Sequence, residues 1–253
     1  MLFSDSAFIG VNFTSGHKSF TYAALDKDLN LLALADGEMD DVTAFVAGQN
    51  SAIVAVNAPA GVNRGVVREM MKKEMLTPNQ IRRTELRLAE HELRQHGIVT
   101  TKTAASAASC PAWMQAGFEF YRKLEKTGFR KYPEKDSVYQ IIETNPHACY
   151  CVMAGRIPLA KASLEGRLQR QLILYERGIR IKDPMDFFEE ITRYKVIKGD
   201  WPLELLYSPE QLDALVAAYT AWLAVNKAEN IFMIGDAKEG RIVLPEKELK
   251  EKY

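Results

Sequence analysis

The chain has 253 residues, enough for one large domain or two small ones, and its 47% hydrophobic and 26% charged residues are typical of a folded globular protein. Thirty-three basic residues balance thirty-three acidic ones, so no overall charge selects nucleic acid or a membrane surface as a partner. The distribution is uneven, because residues 1–57 contain two basic and seven acidic residues, residues 62–102 nine and five, and residues 156–182 seven and two. This asymmetry weakly indicates a face that binds a polyanion beside an acidic site, while solvated helix faces are the alternative.

The cysteine content and the apolar runs indicate where the protein resides. Three cysteines, Cys110, Cys149 and Cys151, are few and odd in number, which favours a reducing compartment. The first ten residues lack the basic and apolar regions of a signal peptide. The longest apolar run begins at Leu212, is too short to span a membrane and contains Asp213. We therefore expect a cytoplasmic protein with no membrane partner.

The first sixty residues predict three antiparallel strands, a helix and a parallel strand. Short polar turns join the three strands, which cover residues 7–13, 19–26 and 31–38. An Asp-capped helix follows and ends at Gly48. The apolar run that Pro59 stops then returns as a fourth strand. A strand–helix–strand unit of this kind usually makes a right-handed parallel crossover.

Residues 62–135 show only helical patterns. One amphipathic helix begins at Thr77 and ends at Gly97, and a second ends near Gly128. Since neither segment has the alternation of a strand, we predict a helical insertion over 62–135 within a single domain of residues 1–253.

The remaining chain predicts a last core strand, several helices and a hairpin-like tail. The strand covers residues 137–146 and carries Glu143 near its end. A helix with a leucine stripe ends at Gly178, one further helix covers residues 183–197, and another begins at the N-cap Ser208. The whole pattern therefore predicts an α/β protein with a mixed sheet flanked by helices.

Polar residues at the ends of the predicted strands are the first candidates for chemistry, because α/β sheets bind ligands at the carboxyl ends of their strands. Asn12, Asn57 and Glu143 stand at such ends. Asp213 is a fourth candidate, since it is an acid in the first turn of an otherwise apolar helix. A role in stabilising the helix dipole is the alternative for Asp213.

Basic residues on two helical segments are candidates for binding phosphate: Lys161, Arg167 and Arg170 on one, and Arg87 and Arg94 on the other. Arg167 and Arg170 are three residues apart and therefore share a helix face. Salt bridges on exposed helices are the alternative for both groups. The cysteines of the "HACYC" segment, which begins at His147, are expected in the core rather than on a metal.

The order of the predicted elements resembles the ribonuclease-H-like fold, and the chain resembles over nearly its whole length an uncharacterised conserved family of predicted nucleases with that fold. The resemblance rests on eight segments in the order of the family: "GVNFTS", "VNAPAG", "RLAEHELRQHGI", "WMQAGFEFYRKL", "IIETNPHA", "KASLEGRLQRQLIL", "LDALVAAYTAWL" and "GDAKEGRIVLP". It implies catalytic positions at Asn12, Asn57, Glu143 and Asp213, the first two of which are aspartates in the family.

The resemblance also implies Mg²⁺ or Mn²⁺ as cofactor and nucleic acid as partner. Nucleases of this class hold two divalent ions about 4 Å apart, and such ions prefer anionic oxygen ligands. Two amides in place of carboxylates weaken this attraction by several kcal/mol or more. The sequence therefore predicts a metal-dependent nuclease with impaired phosphodiester hydrolysis, in which Glu143 and Asp213 remain as metal ligands.

Two other functions stay open at this point. One is a relative that binds nucleic acid or a protein without cleaving it. The other is an actin-like or sugar-kinase-like ATP-binding domain, since "GVNFTSG" resembles a phosphate-binding hairpin. This last alternative ranks lowest because "VNAPAG" is not followed by a second glycine-rich hairpin.

Overall fold

A computed structural model describes residues 6–13, 20–71 and 84–253. One mixed sheet contains the strands β1 (Ala7–Asn12), β2 (Phe20–Leu25), β3 (Leu31–Gly37), β4 (Ala52–Asn57), β5 (Arg130–Lys131), β6 (Tyr139–Glu143), β7 (Phe232–Asp236) and β8 (Gly240–Leu244). The α-helices are α1 (Met39–Ala47), α2 (Val66–Met71), α3 (Leu88–Gln95), α4 (Ala112–Lys126), α5 (Pro146–Ala154), α6 (Leu164–Glu176), α7 (Asp186–Glu189), α8 (Arg193–Lys198) and α9 (Pro209–Asn226). The predicted helix start at Thr77 and the turn predicted between the strands 7–13 and 19–26 lie outside the described residues.

The strand order is β3-β2-β1-β4-β6-β8-β7, and β5 pairs with β6. The strands β1, β2 and β3 form the predicted antiparallel meander. β4 is parallel to β1, and β6 is parallel to β4. The C-terminal hairpin of β7 and β8 extends the sheet, because β8 pairs in parallel with β6. The predicted α/β class and mixed sheet are therefore confirmed.

Helices cover both faces of the sheet. This explains why every residue of β1, and every residue of β4 except Asn57, is buried. On one face α9 packs against β1, β2 and β4. On the other face α1 and α4 pack on alternate residues of the same strands, such as Ile9 and Val54. Among the described residues, no helix combines the length and the apolarity needed to cross a membrane.

Three expectations about secondary structure were wrong. The helix predicted from Thr77 to Gly97 is interrupted, because residues 84–87 are not helical and a helix begins at Leu88. The helix predicted over 183–197 is divided into α7 and α8, because the backbone of Thr192 is extended and its side chain accepts a hydrogen bond from Lys195 N at 3.2 Å as a new N-cap. The segment 62–135 is not purely helical, because Arg130–Lys131 pairs in parallel with β6.

Candidate functional site

The first component of the site is a pair of asparagines at the ends of two parallel strands. Asn12 of β1 lies opposite Asn57 of β4 in the register of the sheet. Asn57 Nδ2 donates a hydrogen bond of 2.6 Å to Asn12 Oδ1. Asn12 is almost fully buried, and its Nδ2 has no hydrogen-bond partner in the part of the chain that the structure describes. The two carboxamides therefore bind each other directly at the ends of the two strands.

The second component is Asp213, which α9 carries to the same face of the sheet. Ser208 caps the first turn of α9. The helix lies directly on β1 because Gly10 has no side chain, and a Cβ at that position would lie 2.0 Å from Ala214 O. Asp213 is 6% exposed. Its Oδ2 accepts a hydrogen bond of 3.1 Å from Lys161 Nζ, in an ion pair that is half exposed on the lysine side.

A pocket of about 410 Å³ opens beside Asn57 and Asp213. Polar and apolar groups from four parts of the chain line it: Asn57, Pro146, His147, Pro158, Leu159, Ala160, Lys161, Arg170 and Asp213. The volume lies within the range of small-molecule sites, and the combination of an apolar wall with few polar groups is typical of them. The pocket is therefore the candidate binding site.

Arg170 is a fixed positive charge in this pocket. Its side chain is 3% exposed, and Nη1 donates hydrogen bonds to Leu159 O at 2.8 Å and to Gly166 O at 3.0 Å. Its guanidinium lies 5.3 Å from the centre of the Tyr150 ring. These contacts hold the guanidinium in place, so that a ligand meets a preformed cation rather than a mobile one.

The ionisable groups of the pocket change one another's pKa values. Burial raises the pKa of Asp213, and the Lys161 and Arg170 cations oppose that rise. Burial and the same two cations lower the pKa of His147 below its ordinary value. The imidazole is therefore mainly neutral at pH 7, where it can donate one hydrogen bond and accept another. Two cations and one acid make the pocket net positive.

Glu143 does not reach this pocket. In the sheet it lies opposite Val56, the residue before Asn57. Because successive side chains of a strand point to opposite faces, Glu143 faces away from Asn57 and toward α4. Burial, and after it the Glu143 carboxylate, raises the pKa of the α4 residue Tyr121. The structure therefore does not bring together the two acids that the sequence predicts as joint metal ligands.

Arg87 holds the Glu143 carboxylate on that opposite side. Its Nη2 lies 2.5 Å from Glu143 Oε1 and its Nη1 lies 3.1 Å from Oε2. Both side chains are at most 3% exposed. Arg87 also binds Glu90 Oε1 through Nε at 3.0 Å and Glu239 O through Nη1 at 2.9 Å. Burial opposes the charge of Arg87, but the Glu143 and Glu90 carboxylates overcome it and raise the pKa. Arg87 is thus a buried structural cation whose guanidinium is already bound by two carboxylates.

The other predicted phosphate-binding residues are divided between the pocket and the surface. Lys161 and Arg170 line the pocket. Arg167 instead donates from Nε to Tyr207 O and from Nη2 to Leu206 O, both at 2.8 Å, which ties α6 to the segment before α9. Arg94 is exposed at the end of α3 and donates to Thr100 O at 3.1 Å.

The residues present do not fit a pair of divalent cations. Among the residues that the structure describes, Asp213 is the one carboxylate that lines the pocket, and it is already paired with Lys161. Glu143 is on the other face and is bound by Arg87. Within the described ranges, no group of three or more His, Cys, Asp or Glu side chains is placed to hold a metal ion. Of the two acids predicted to hold Mg²⁺ or Mn²⁺, Asp213 lines the pocket and Glu143 does not, whereas such ions prefer several anionic oxygen ligands.

His147 is a pocket residue that no motif in the sequence singles out as a ligand-binding residue. It follows Pro146 at the start of α5, next to a capping Asn145 whose Oδ1 accepts from Ala148 N at 2.9 Å. The cysteines of the same segment are buried and unpaired, as expected. A polar residue just after a strand end and a proline was the signal that could have identified it.

The fold and the pocket define an α/β protein with a mixed sheet and a net positive pocket at the ends of two parallel strands. A family model described as "Protein of unknown function (DUF429)" matches residues 16–239. Since this match covers most of the chain, the protein belongs to the DUF429 family. No curated protein and no solved structure matches the chain. Its function must therefore be argued from the pocket itself.

Proposed function

We propose that the chain has a ribonuclease-H-like fold and that its pocket binds a phosphate group of nucleic acid without two-metal hydrolysis. The strand order supports the fold, because a three-stranded antiparallel meander continues into the parallel strands β4 and β6. The crossing of α9 over β1 also supports it, because this packing brings an acid of the helix to the ends of the strands.

The observation that carries the proposal is the hydrogen bond between Asn57 and Asn12. Two carboxylates in this register would repel each other unless a cation or a proton lay between them. Two carboxamides bind each other directly and need no cation. The pair therefore keeps the geometry of a strand-end site while removing the charge that would hold divalent ions.

Charge and hydrogen-bonding capacity support phosphate as the ligand group. Lys161 and Arg170 supply two positive charges, and His147 supplies a neutral donor. Residues 156–182, which contribute both cations, contain seven basic and two acidic residues. Such a surface attracts the phosphate backbone on either side of one bound nucleotide.

Fluorescence anisotropy with labelled single-stranded and duplex DNA and RNA tests the binding. Lys161→Ala is expected to weaken binding about three- to tenfold and to reduce the salt dependence by about one ion, as for the loss of one phosphate contact. Lys102→Ala is the matched control, because Lys102 is also half exposed and ion-paired, with Glu85 at 2.6 Å. Equal affinities of the two variants, or no binding by the wild type, would contradict the proposal.

A cleavage assay on the same oligonucleotides with Mg²⁺ or Mn²⁺ tests the proposal that the bound nucleic acid is not hydrolysed. The wild type is expected to leave the strands intact under conditions in which they are bound. Cleavage by the wild type that disappears in Asp213→Asn would show an active metal site and refute the non-hydrolytic function.

A further inference from the structure

The segment that contains α7, α8 and the loop after α8 has an exposed apolar surface. Seven large side chains of this segment, which we call the apolar patch, are at least 40% exposed: Met185, Phe188, Tyr194, Val196, Ile197, Trp201 and Leu203. Monomeric proteins rarely expose a contiguous apolar patch of more than a few hundred Å². A concentration of this kind within nineteen residues indicates an interaction surface.

A buried aromatic residue holds the two ends of the patch together. Phe187 is 1% exposed, and its ring stacks parallel to Trp201 with centroids 6.3 Å apart. It also meets the ring of Phe188 edge-on at 5.7 Å. These contacts give the segment a defined shape, although the outer sides of Phe188 and Trp201 stay exposed.

The charges of this segment are separated along the chain. Residues 183–190 contain four acidic and no basic residues, whereas residues 191–199 contain three basic and no acidic residues. Exposed apolar side chains occur in both parts, with Phe188 in the acidic part and Ile197 in the basic part. Glu190 and Lys195 pair within one copy at 2.9 Å. The other charges of the two parts become complementary when a second copy is turned round against the first.

We propose that the apolar patch is the interface of a twofold symmetric dimer with a second copy of this chain. A twofold axis brings the acidic α7 of one copy against the basic α8 of its partner, and the converse contact follows by symmetry. The apolar side chains between them are then removed from water, and the opposite charges at the rim set the register. This interface does not depend on what the pocket binds.

Analytical ultracentrifugation over a concentration series into the high micromolar range tests the dimer. The wild type is expected to change from monomer to dimer, and Ile197→Asp is expected to weaken association at least about a hundredfold, because it places an unpaired charge in the interface. Ile197 is 82% exposed, so the substitution leaves the fold of the monomer intact. Val99→Asp is the matched control, since Val99 is 71% exposed outside the patch, and it should associate as the wild type does.

Charge reversal tests the orientation of the two copies. Asp186→Lys/Glu189→Lys and Arg193→Glu/Lys198→Glu change exposed residues in the acidic and the basic part. Each variant alone places like charges opposite each other and should be monomeric. An equal mixture restores opposite charges at both contacts and should form a heterodimer.

Circular dichroism confirms that each variant is folded. A wild type that stays monomeric, an Ile197→Asp variant that still dimerises, or a charge-reversed mixture that stays monomeric would overturn the proposed interface.

Discussion

Asp213 and Glu143 lie on opposite faces of the sheet. Asp213 shares a pocket with Asn57 and forms an ion pair with Lys161. Glu143 lies in register with the residue before Asn57 and binds the buried guanidinium of Arg87. The two acids therefore have separate roles. Asp213 lines the ligand pocket, and Glu143 holds the start of α3 to the sheet through Arg87.

This separation predicts that Glu143→Gln changes stability rather than binding. Glutamine keeps the shape of the side chain but removes one of the two carboxylates that bind the buried Arg87 cation, which should lower the free energy of unfolding by about 3–5 kcal/mol. Oligonucleotide affinity should not change as long as the protein is folded. Urea denaturation and anisotropy titrations measure the two quantities. Lost affinity in a fully folded variant would contradict the separation.

Asp213→Asn is the counterpart, and the opposite result is expected. The variant removes a buried carboxylate whose ionised form burial disfavours, so stability at pH 7 should stay within about 1 kcal/mol of the wild type. Lys161 is then released from its ion pair and available to phosphate. We expect oligonucleotide affinity to rise severalfold, and an unchanged affinity would show that the pocket is not the binding site.

Asn12→Asp/Asn57→Asp should turn the amide pair into a cation-dependent site. Two buried carboxylates that face each other repel, which should cost about 2–4 kcal/mol of stability at pH 7. Repulsion and burial raise their pKa values in the folded protein above the unfolded values, so stability is retained at low pH and lost as the pH rises. Mn²⁺ should restore the melting temperature at pH 7, because the new carboxylates and Asp213 together offer anionic ligands. The wild type is the control, and an equal Mn²⁺ shift in both proteins would contradict the prediction.

Local patterns in the sequence were sufficient to predict most strands of the sheet. The meander and β4 were predictable because their strands are long, apolar and separated by short polar turns. The start of α9 was predictable because Ser208 and Gln211 form a capping box. The pairing of β8 with β6 was not predictable, since it joins residues about a hundred positions apart, as in Glu143 opposite Ile242, and leaves no local pattern.

The sequence was sufficient to predict which candidate residues stand at the ends of strands. It was not sufficient to predict toward which face of the sheet each side chain points. Asn12 and Asn57 were placed together because parallel strands end at one edge. Glu143 was misplaced because a shift of one residue in register turns a side chain to the other face, and register is not visible in a single strand. Arg87 was misplaced because its partners Glu143 and Glu239 are 56 and 152 residues away.

Lys161→Met should make stability more dependent on pH. Burial raises the pKa of Asp213 above its unfolded value and Lys161 limits that rise, so the contribution of this carboxyl is present at low pH and is lost as the pH rises through the folded pKa. Without Lys161 the loss should grow by about 1–2 kcal/mol between pH 4 and pH 8. Urea denaturation across this range measures it. In the double variant Lys161→Met/Asp213→Asn, the additional dependence of the free energy of unfolding on pH should vanish. If it persists, a group other than Asp213 causes it.

Gly10→Ala should displace α9 and disrupt the pocket. A Cβ on Gly10 would lie 2.0 Å from Ala214 O and 2.4 Å from Ala218 N, and neither backbone atom can move without the helix. We expect a loss of about 3 kcal/mol or more, together with weaker oligonucleotide binding, since the same helix positions Asp213. Gly48→Ala is the control, because Gly48 has a right-handed backbone and a nearest contact of 3.3 Å within its own helix turn. It should alter stability by less than about 1 kcal/mol. A Gly10→Ala variant as stable as the control would show that α9 does not rest on β1 as described.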